Sequence, residues 1–405
     1  MERAEQIMIN AKQYETDMIR WRRKIHIHPE VGFELPGTQR LVKEELERMG
    51  LEVQSDFVKS AVLGTLDTGK PGKVIAVRAD MDGLAIKEES GEPFCSEVEN
   101  VAHACGHDAH TAICLGLAKY LSEHKKDIPG GKIKFIFQPA EEGPAPGGAK
   151  LIMESGVLDD VDAVIGAHSQ PLYLAGQIGC KYGDAFASGD FFEVNLKGSG
   201  SHAASPHLGK DVIVTAAEMI SAIQNIRSRE LPPLKNAVIS VCSINAGQLP
   251  VKNVLPAECT FGGTFRAYDD ELREYIAKRI GEIVEIIAKM NGIEAEYTDS
   301  FNYPYFRNDD DVIDIVYHAA KEMLGAENVI KKETPEMGSE DFAWYTKKIK
   351  AAFFFFGIRN EEKGCIYSLH NPKFRIDEDA FVPTLSVFVN AIYCLMEDER
   401  INGKS

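Results

Sequence analysis

Apolar residues recur at helical spacing from Ala4 to Leu46, and the pattern is interrupted at His28-Pro29-Glu30-Val31-Gly32, where proline and glycine stop a helix. Beyond that point the period changes. Val74-Ile75-Ala76-Val77, Ile133-Lys134-Phe135-Ile136-Phe137 and Ala163-Val164-Ile165-Gly166 are short runs that predict buried strands, and Thr111 to Ser122 predicts a helix between the first two. Strands this apolar need cover on both faces. The alternation therefore predicts an α/β architecture, a mainly parallel sheet with helices on both faces.

From Asp190 the pattern reads strand (Phe191 to Leu196), helix (Val212 to Ile226), strand (Val238 to Asn245), strand (Cys259 to Ala267), helix (Leu272 to Met290) and strand (Ile293 to Phe301). The order βαββαβ is that of a ferredoxin-like unit. The chain then returns to helix (Val312 to Leu324), strand (Ala351 to Gly357) and a closing helix (Phe381 to Glu397). The second pattern therefore reads as an insertion. Residues 1–183 and 304–405 are expected to form one domain and 184–303 a second, with hinges at Gly183-Asp184 and Tyr303-Pro304. Phe353 to Phe356 reads as core in a central strand. There is no internal repeat and no low-complexity segment.

A chain of 405 residues exceeds the size at which one hydrophobic core keeps growing, which supports two domains. A formal net charge of -17 leaves no basic stripe for phosphates and argues against a nucleic-acid partner. No run approaches the length of a membrane span, and Met1 to Arg23 mixes charges instead of presenting a signal-peptide apolar core, so a cytoplasmic protein is expected. The eight cysteines are scattered without the spacing of a disulfide framework.

The candidate chemistry begins at His103-Ala104-Cys105-Gly106-His107-Asp108-Ala109-His110, at the mouth of a predicted helix. Cys105 and His107 can point at one ion, as thiolate and imidazole do for zinc and similar metals. A polar loop with a buried cysteine accounts for the same residues. Gln138-Pro139-Ala140-Glu141-Glu142-Gly143 follows a strand, where an α/β sheet builds its site. One carboxylate there can bind metal while its neighbour handles protons. A solvated acidic loop is the plainer alternative. His168 directly follows the strand ending at Gly166, and His370 lies in Ser368-Leu369-His370-Asn371-Pro372. Either histidine alone is more simply structural. Four such features at one sheet edge point together to a metal site.

These motifs resemble the dinuclear-metal aminoacylase and carboxypeptidase family, in its branch of hippurate hydrolases, N-acyl-amino-acid deacetylases and auxin-conjugate amidohydrolases. The resemblance covers nearly the whole chain through His28-Pro29-Glu30, Arg78-Ala79-Asp80-Met81-Asp82, Cys105-Gly106-His107-Asp108, Pro139-Ala140-Glu141-Glu142-Gly143, Gly338-Ser339-Glu340-Asp341-Phe342 and Leu369-His370. It implies two divalent ions, zinc or manganese, on Cys105, His107, Glu142, His168 and His370, with Glu141 as general base. Asp80 and Asp82 would orient ligands from behind, although helix-capping or turn aspartates fit the same places. It also implies that His202, in Ser199-Gly200-Ser201-His202, reaches the partner subunit's site as an oxyanion donor. Asn253 and Arg266 are candidates for a substrate carboxylate, and Arg266 could instead pair with Asp269 or Asp270.

The expected activity is hydrolysis of the amide bond of small N-acyl amino acids by a homodimer. A dipeptidase or carboxypeptidase, or a non-catalytic metal-binding protein on the same fold, are the alternatives. One departure stands out: relatives usually carry an apolar and often an aromatic residue after the histidine matching His168, where this chain has Ser169-Gln170. That change is expected to alter the substrate wall.

Overall fold

The computed structural model describes residues 3–401. The chain divides into two compact units, one of Met1–Ala185, Arg307–Pro335 and Asp341–Ser405, the other of Phe186–Phe306 and Glu336–Glu340.

The first unit is built on an eight-stranded sheet in the order Glu52–Gln54, Val62–Asp67, Lys132–Gln138, Val74–Asp80, Ala163–Leu174, Lys350–Arg359, Ile178–Cys180, Val329–Lys331. Its four central strands, from Lys132–Gln138 to Lys350–Arg359, are parallel to one another. The antiparallel pairings lie outside that group. Helices flank this mainly parallel sheet and share one core with it. The run Phe353 to Phe356 is buried throughout, and its side chains alternate between two faces. Phe354 meets Phe388 of the last helix at 4.9 Å, while Phe353 meets Phe342 at 4.8 Å. A strand covered on both sides accounts for four aromatics in succession.

Three differences from the sequence reading matter. The strand beginning at Ala163 runs on to Leu174, so His168 lies inside a strand and not after one. Parallel pairing with Lys350–Arg359 continues through His168 opposite Phe355 and holds the extra residues extended. The hinge at Gly183-Asp184 lies in the strand Gly183–Phe186, which forms a two-stranded sheet with Phe306–Asn308. Finally, Glu378–Glu397 is long and apolar enough to cross a membrane, and 83% of its apolar window is buried in the fold.

The second unit carries an antiparallel sheet in the order Ala237–Ala246, Glu258–Ala267, Gly189–Lys197, Glu294–Tyr303. Helices Val212–Asn225 and Asp270–Asn291 bury their apolar stripes against it. Asp211 and Asp269 cap the two helices, accepting from Ile213 N and Leu272 N at 2.9 and 2.7 Å. Phe192, Val194 and Leu196 face the helices and are buried, while Phe191 and Glu193, which alternate with them, are exposed. Asp190 is fully buried and accepts from Arg273 Nε at 2.6 Å and from Asn302 N at 3.2 Å, joining both ends of the insertion to its second helix.

Candidate metal centre

Parallel strands deliver their carboxyl ends to one side of a sheet, and the candidate residues of the first unit gather there. Asp80 is the last residue of Val74–Asp80, and Glu141 follows Lys132–Gln138 by three positions. Asp82 ties the two segments together: its Oδ1 and Oδ2 accept from Glu141 N and Glu142 N, each at 3.0 Å. Its Oδ1 also lies 3.5 Å from His107 Nδ1. The turn that presents the glutamates is strained, with φ of 57° at the buried Ala140. An L-residue held in the left-handed region costs about 1–2 kcal/mol, so the turn persists because Asp82 and its surroundings over-determine it.

His107 is the first residue of helix His107–Glu123, and Gly106 ahead of it has φ of 93°. Cys105 precedes that turn, and its Sγ lies 3.3 Å from His168 Nε2 and 3.4 Å from His370 Nε2. His370 Nε2 is also 3.0 Å from Glu142 Oε1. His370 has φ of 63°, a second strained residue at the cluster, and its N–H donates to the Ala104 carbonyl at 2.8 Å. The five residues expected as ligands, Cys105, His107, Glu142, His168 and His370, thus converge with Glu141 in overlapping groups whose donor atoms lie within 4.8 Å of one another.

Behind the cluster stands a buried ionic network that sequence reasoning missed. Asp341 accepts from Arg78 Nη2 at 2.8 Å, from Gln138 Nε2 at 2.7 Å and from Ala149 N at 3.0 Å. Arg78 in turn donates to Asp80 Oδ2 at 2.6 Å, and Asp80 Oδ1 pairs with His110 Nδ1, also at 2.6 Å. Tyr345 closes the network on Gln138 Oε1 at 2.9 Å. The motifs Arg78-Ala79-Asp80 and Gly338-Ser339-Glu340-Asp341-Phe342 stood out in the sequence, but nothing local links residues 263 positions apart. An arginine inside an apolar strand was the one available signal.

The donor set suits a divalent cation. His107 Nε2 is fully buried with no hydrogen bond, its nearest carboxylate oxygens being Asp80 Oδ2 and Glu141 Oε2, both at 3.8 Å. Burial opposes a proton on His107, but Asp80 and Asp82 prevail and raise its pKa to about 10. Burial, reinforced by Glu142 and Glu141, pushes the Cys105 thiol well up. Burial also opposes ionisation of Asp80, yet His107, Arg78 and His110 hold its carboxyl well below the usual range. His168 is pushed down to about 3 by burial and by His110, which leaves it neutral. Anionic groups around a thiol that burial keeps protonated call for positive charge, and a mixture of S, N and O donors suits a divalent metal ion.

The sequence profile of peptidase family M20/M25/M40 matches residues 76–393. The chain belongs to that family. Thermostable carboxypeptidase 2 of Saccharolobus solfataricus is 37% identical over 382 residues, covering 94% of this chain and 95% of that protein. N-acetylcysteine deacetylase of Bacillus subtilis is 35% identical over 387 residues, covering 95% and 98%. Among solved structures, a dinuclear metal-binding M20-family peptidase of Bacillus subtilis matches with a TM-score of 0.80 at 33% identity, covering 95% of this chain and 99% of that one. Membership of the M20 family makes the chain a hydrolase with a divalent-metal site.

The remaining candidates of this M20 hydrolase lie in the second unit. His202 is exposed on a short ribbon, Ser201–His202 paired with Val254–Leu255, and it stands opposite Val254. Its Nδ1 accepts from Ala204 N at 3.1 Å. A backbone N–H can only donate, so the neutral ring carries its proton on Nε2. Asn253 is the residue before Val254, and its carbonyl accepts from Ala203 N at 3.0 Å, which places it beside His202. Arg266 is not brought to them. The ribbon leaves the sheet at the Lys197 and Glu258 end, whereas Arg266 stands eight residues along the strand, about 26 Å away at about 3.3 Å per residue. Arg266 Nη1 donates to the Met337 carbonyl at 3.1 Å, while Asp269 pairs with Lys235 at 2.6 Å.

Ser169 and Gln170, which follow His168, are both buried. The Ser169 hydroxyl donates to the Cys105 carbonyl at 3.0 Å, and Gln170 Oε1 accepts from Leu172 N at 3.3 Å.

Proposed function

We propose that this M20-family chain hydrolyses the amide bond of N-acyl amino acids, with two divalent ions, zinc or manganese, held by Cys105, His107, Glu142, His168 and His370. The observation that carries the reading is the pinning of the Glu141–Glu142 pair by Asp82 against His107, which gives adjacent carboxylates two different surroundings. Glu142 lies against His370, where a ligand belongs. Glu141 is left as the base. Divalent ions held in such a site polarise the amide carbonyl and acidify water.

The chain's own groups account for the rest. Glu141 takes the proton of the attacking water and returns it to the leaving nitrogen. Asp82 keeps the Glu141 backbone from moving during that exchange. His202, with its proton on Nε2, is a donor for the developing oxyanion, and Asn253 beside it and Arg266 are donors for the substrate carboxylate. One small substrate does not bridge the length of the strand between Asn253 and Arg266. We therefore assign them to different sites of a homodimer, each ribbon serving its partner subunit. The sheet ends in two edge strands, Ala237–Ala246 and Glu294–Tyr303, and joining one such edge across a twofold axis satisfies both copies. All eight cysteines are free, which supports a reducing, cytoplasmic setting.

The likeness to a carboxypeptidase supports a second reading, cleavage of peptides by the same groups. The test is a metal-supplemented screen of N-acetyl amino acids, hippurate and a dipeptide panel with product detection. Acyl release with zinc or manganese and slower dipeptide cleavage is expected. Preference for dipeptides favours the second reading, and metal binding without hydrolysis of any panel member refutes both.

A further inference from the structure

We infer that Ser169 is a positioning residue of the metal centre, whose hydroxyl sets how firmly the Cys105 thiolate is held. The inference rests on the reading that Cys105 and His168 bind a divalent ion, and it concerns a residue to which that reading gives no role.

Ser169 is completely buried, and each of its polar groups is engaged with a different part of the site. Its carbonyl accepts from His168 Nδ1 at 2.8 Å. A carbonyl can only accept, so the His168 proton sits on Nδ1 and the Nε2 lone pair is left facing Cys105 Sγ. Its N–H donates to His110 Nε2 at 3.0 Å. By the same logic His110 carries its proton on Nδ1 and donates to Asp80 Oδ1. Its hydroxyl donates to the Cys105 carbonyl at 3.0 Å.

The first two bonds use the backbone, and any residue at this position would supply them. The third requires a hydroxyl. The helix does not take the Cys105 carbonyl, because Ala109 N and His110 N both go to Gly106 O. Residues 104 and 105 are therefore clamped from two sides, Ala104 by the His370 N–H and Cys105 by Ser169. Both clamps come from chain segments that carry a ligand histidine. Removing the hydroxyl leaves a buried carbonyl unpaired and frees one side of the loop. Groups that hold ligands in this way typically change metal affinity by about 10–100-fold when lost.

The experiment loads the metal-free parent, Ser169→Ala and Ser169→Thr with cobalt(II) and follows the thiolate-to-cobalt charge-transfer absorption and the rate of cobalt release to excess chelator. Melting of each metal-free protein serves as the control for folding. In Ser169→Ala a shifted or weakened band and release faster by about 10-fold or more are expected, with metal-free melting lowered only by the few degrees that one unpaired buried carbonyl costs. Ser169→Thr, which keeps the hydroxyl, should return toward parent values. A purely structural role would instead lower the metal-free melting temperature and leave the band and the release rate in place, and that result overturns the inference. So does an alanine variant with parent band and parent release. A parent that binds cobalt without any thiolate band removes the underlying metal-site reading and this inference with it.

Discussion

Gly106→Ala separates a steric cost from a conformational one. Gly106 has φ of 93°, and a Cβ built there would lie 2.7 Å from Ser169 Oγ, 3.1 Å from Ile376 Cδ1 and 3.2 Å from Ser169 Cβ. Forcing an alanine into the left-handed region costs about 1–2 kcal/mol. The overlap adds about 1–3 kcal/mol, as overpacking in a well-filled core does. Ser169 cannot swing aside without giving up its bond to Cys105. The total is about 2–5 kcal/mol. Gly50→Ala is the matched control, because Gly50 has φ of 77° and nothing within 4 Å of its built Cβ. It should lose only the conformational part. At about 2–4 °C per kcal/mol, metal-free Gly106→Ala should melt about 4–20 °C below the parent and Gly50→Ala about 2–8 °C below, with the larger loss at Gly106. Thermal melting of the three proteins in chelator, at one pH, reads the difference. Equal losses in the two variants would show that the crowding argument is wrong, and no loss at Gly106 would refute the reasoning altogether.

Glu141→Gln should retain metal yet lose about two to four orders of magnitude in turnover, since an amide cannot accept the water's proton; a purified variant with the parent rate removes Glu141 as the base. Chelation should abolish activity and added zinc or manganese should restore it, while alkylation of Cys105 should lower metal content; unchanged metal and rate after alkylation would exclude Cys105 as a ligand. Mixing inactive Glu141→Gln and His202→Ala proteins under subunit exchange should restore part of the activity, because one site of the mixed dimer then has both residues. A fully active monomer by sedimentation sinks that arrangement. Burial opposes a charge on His26, but Asp108 and then Glu88 outweigh it, against a smaller opposing effect of Arg22, and raise its pKa to about 9 from 6.5. A raised pKa stabilises fully below about 6.5 and is lost as pH rises through about 9, so stability on the order of 3 kcal/mol should disappear across that window. His26→Gln should lose measurably less between pH 6.5 and 9.5, and a parallel decline in both proteins contradicts the assignment.

Much of this molecule was legible in one dimension because the information is local. A strand of consecutive apolar residues, such as Val74 to Val77, has few alternatives once both faces must be covered. A helix such as Phe381–Glu397 announces itself by period and length. The ligand candidates were legible for a different reason: Cys105 with His107 at the mouth of a helix, and Glu141 with Glu142 just after a strand, are chemically costly residues packed closely in sequence.

Tertiary structure decided everything that depends on which distant groups share a buried space. His168 sits within a strand because Lys350–Arg359 pairs alongside it, and polar Ser169 and Gln170 are tolerated there because their hydrogen bonds are met by Cys105, His110 and the strand's own backbone. Arg78 and Asp341 stabilise the site only as partners, since either alone would be an uncompensated buried charge, and their encounter across 263 positions leaves no trace in local pattern. The separation of Arg266 from His202 and Asn253 is likewise a matter of register: residues close in sequence stand at opposite ends of one sheet, because an extended strand carries its ends apart by about 3.3 Å for every residue.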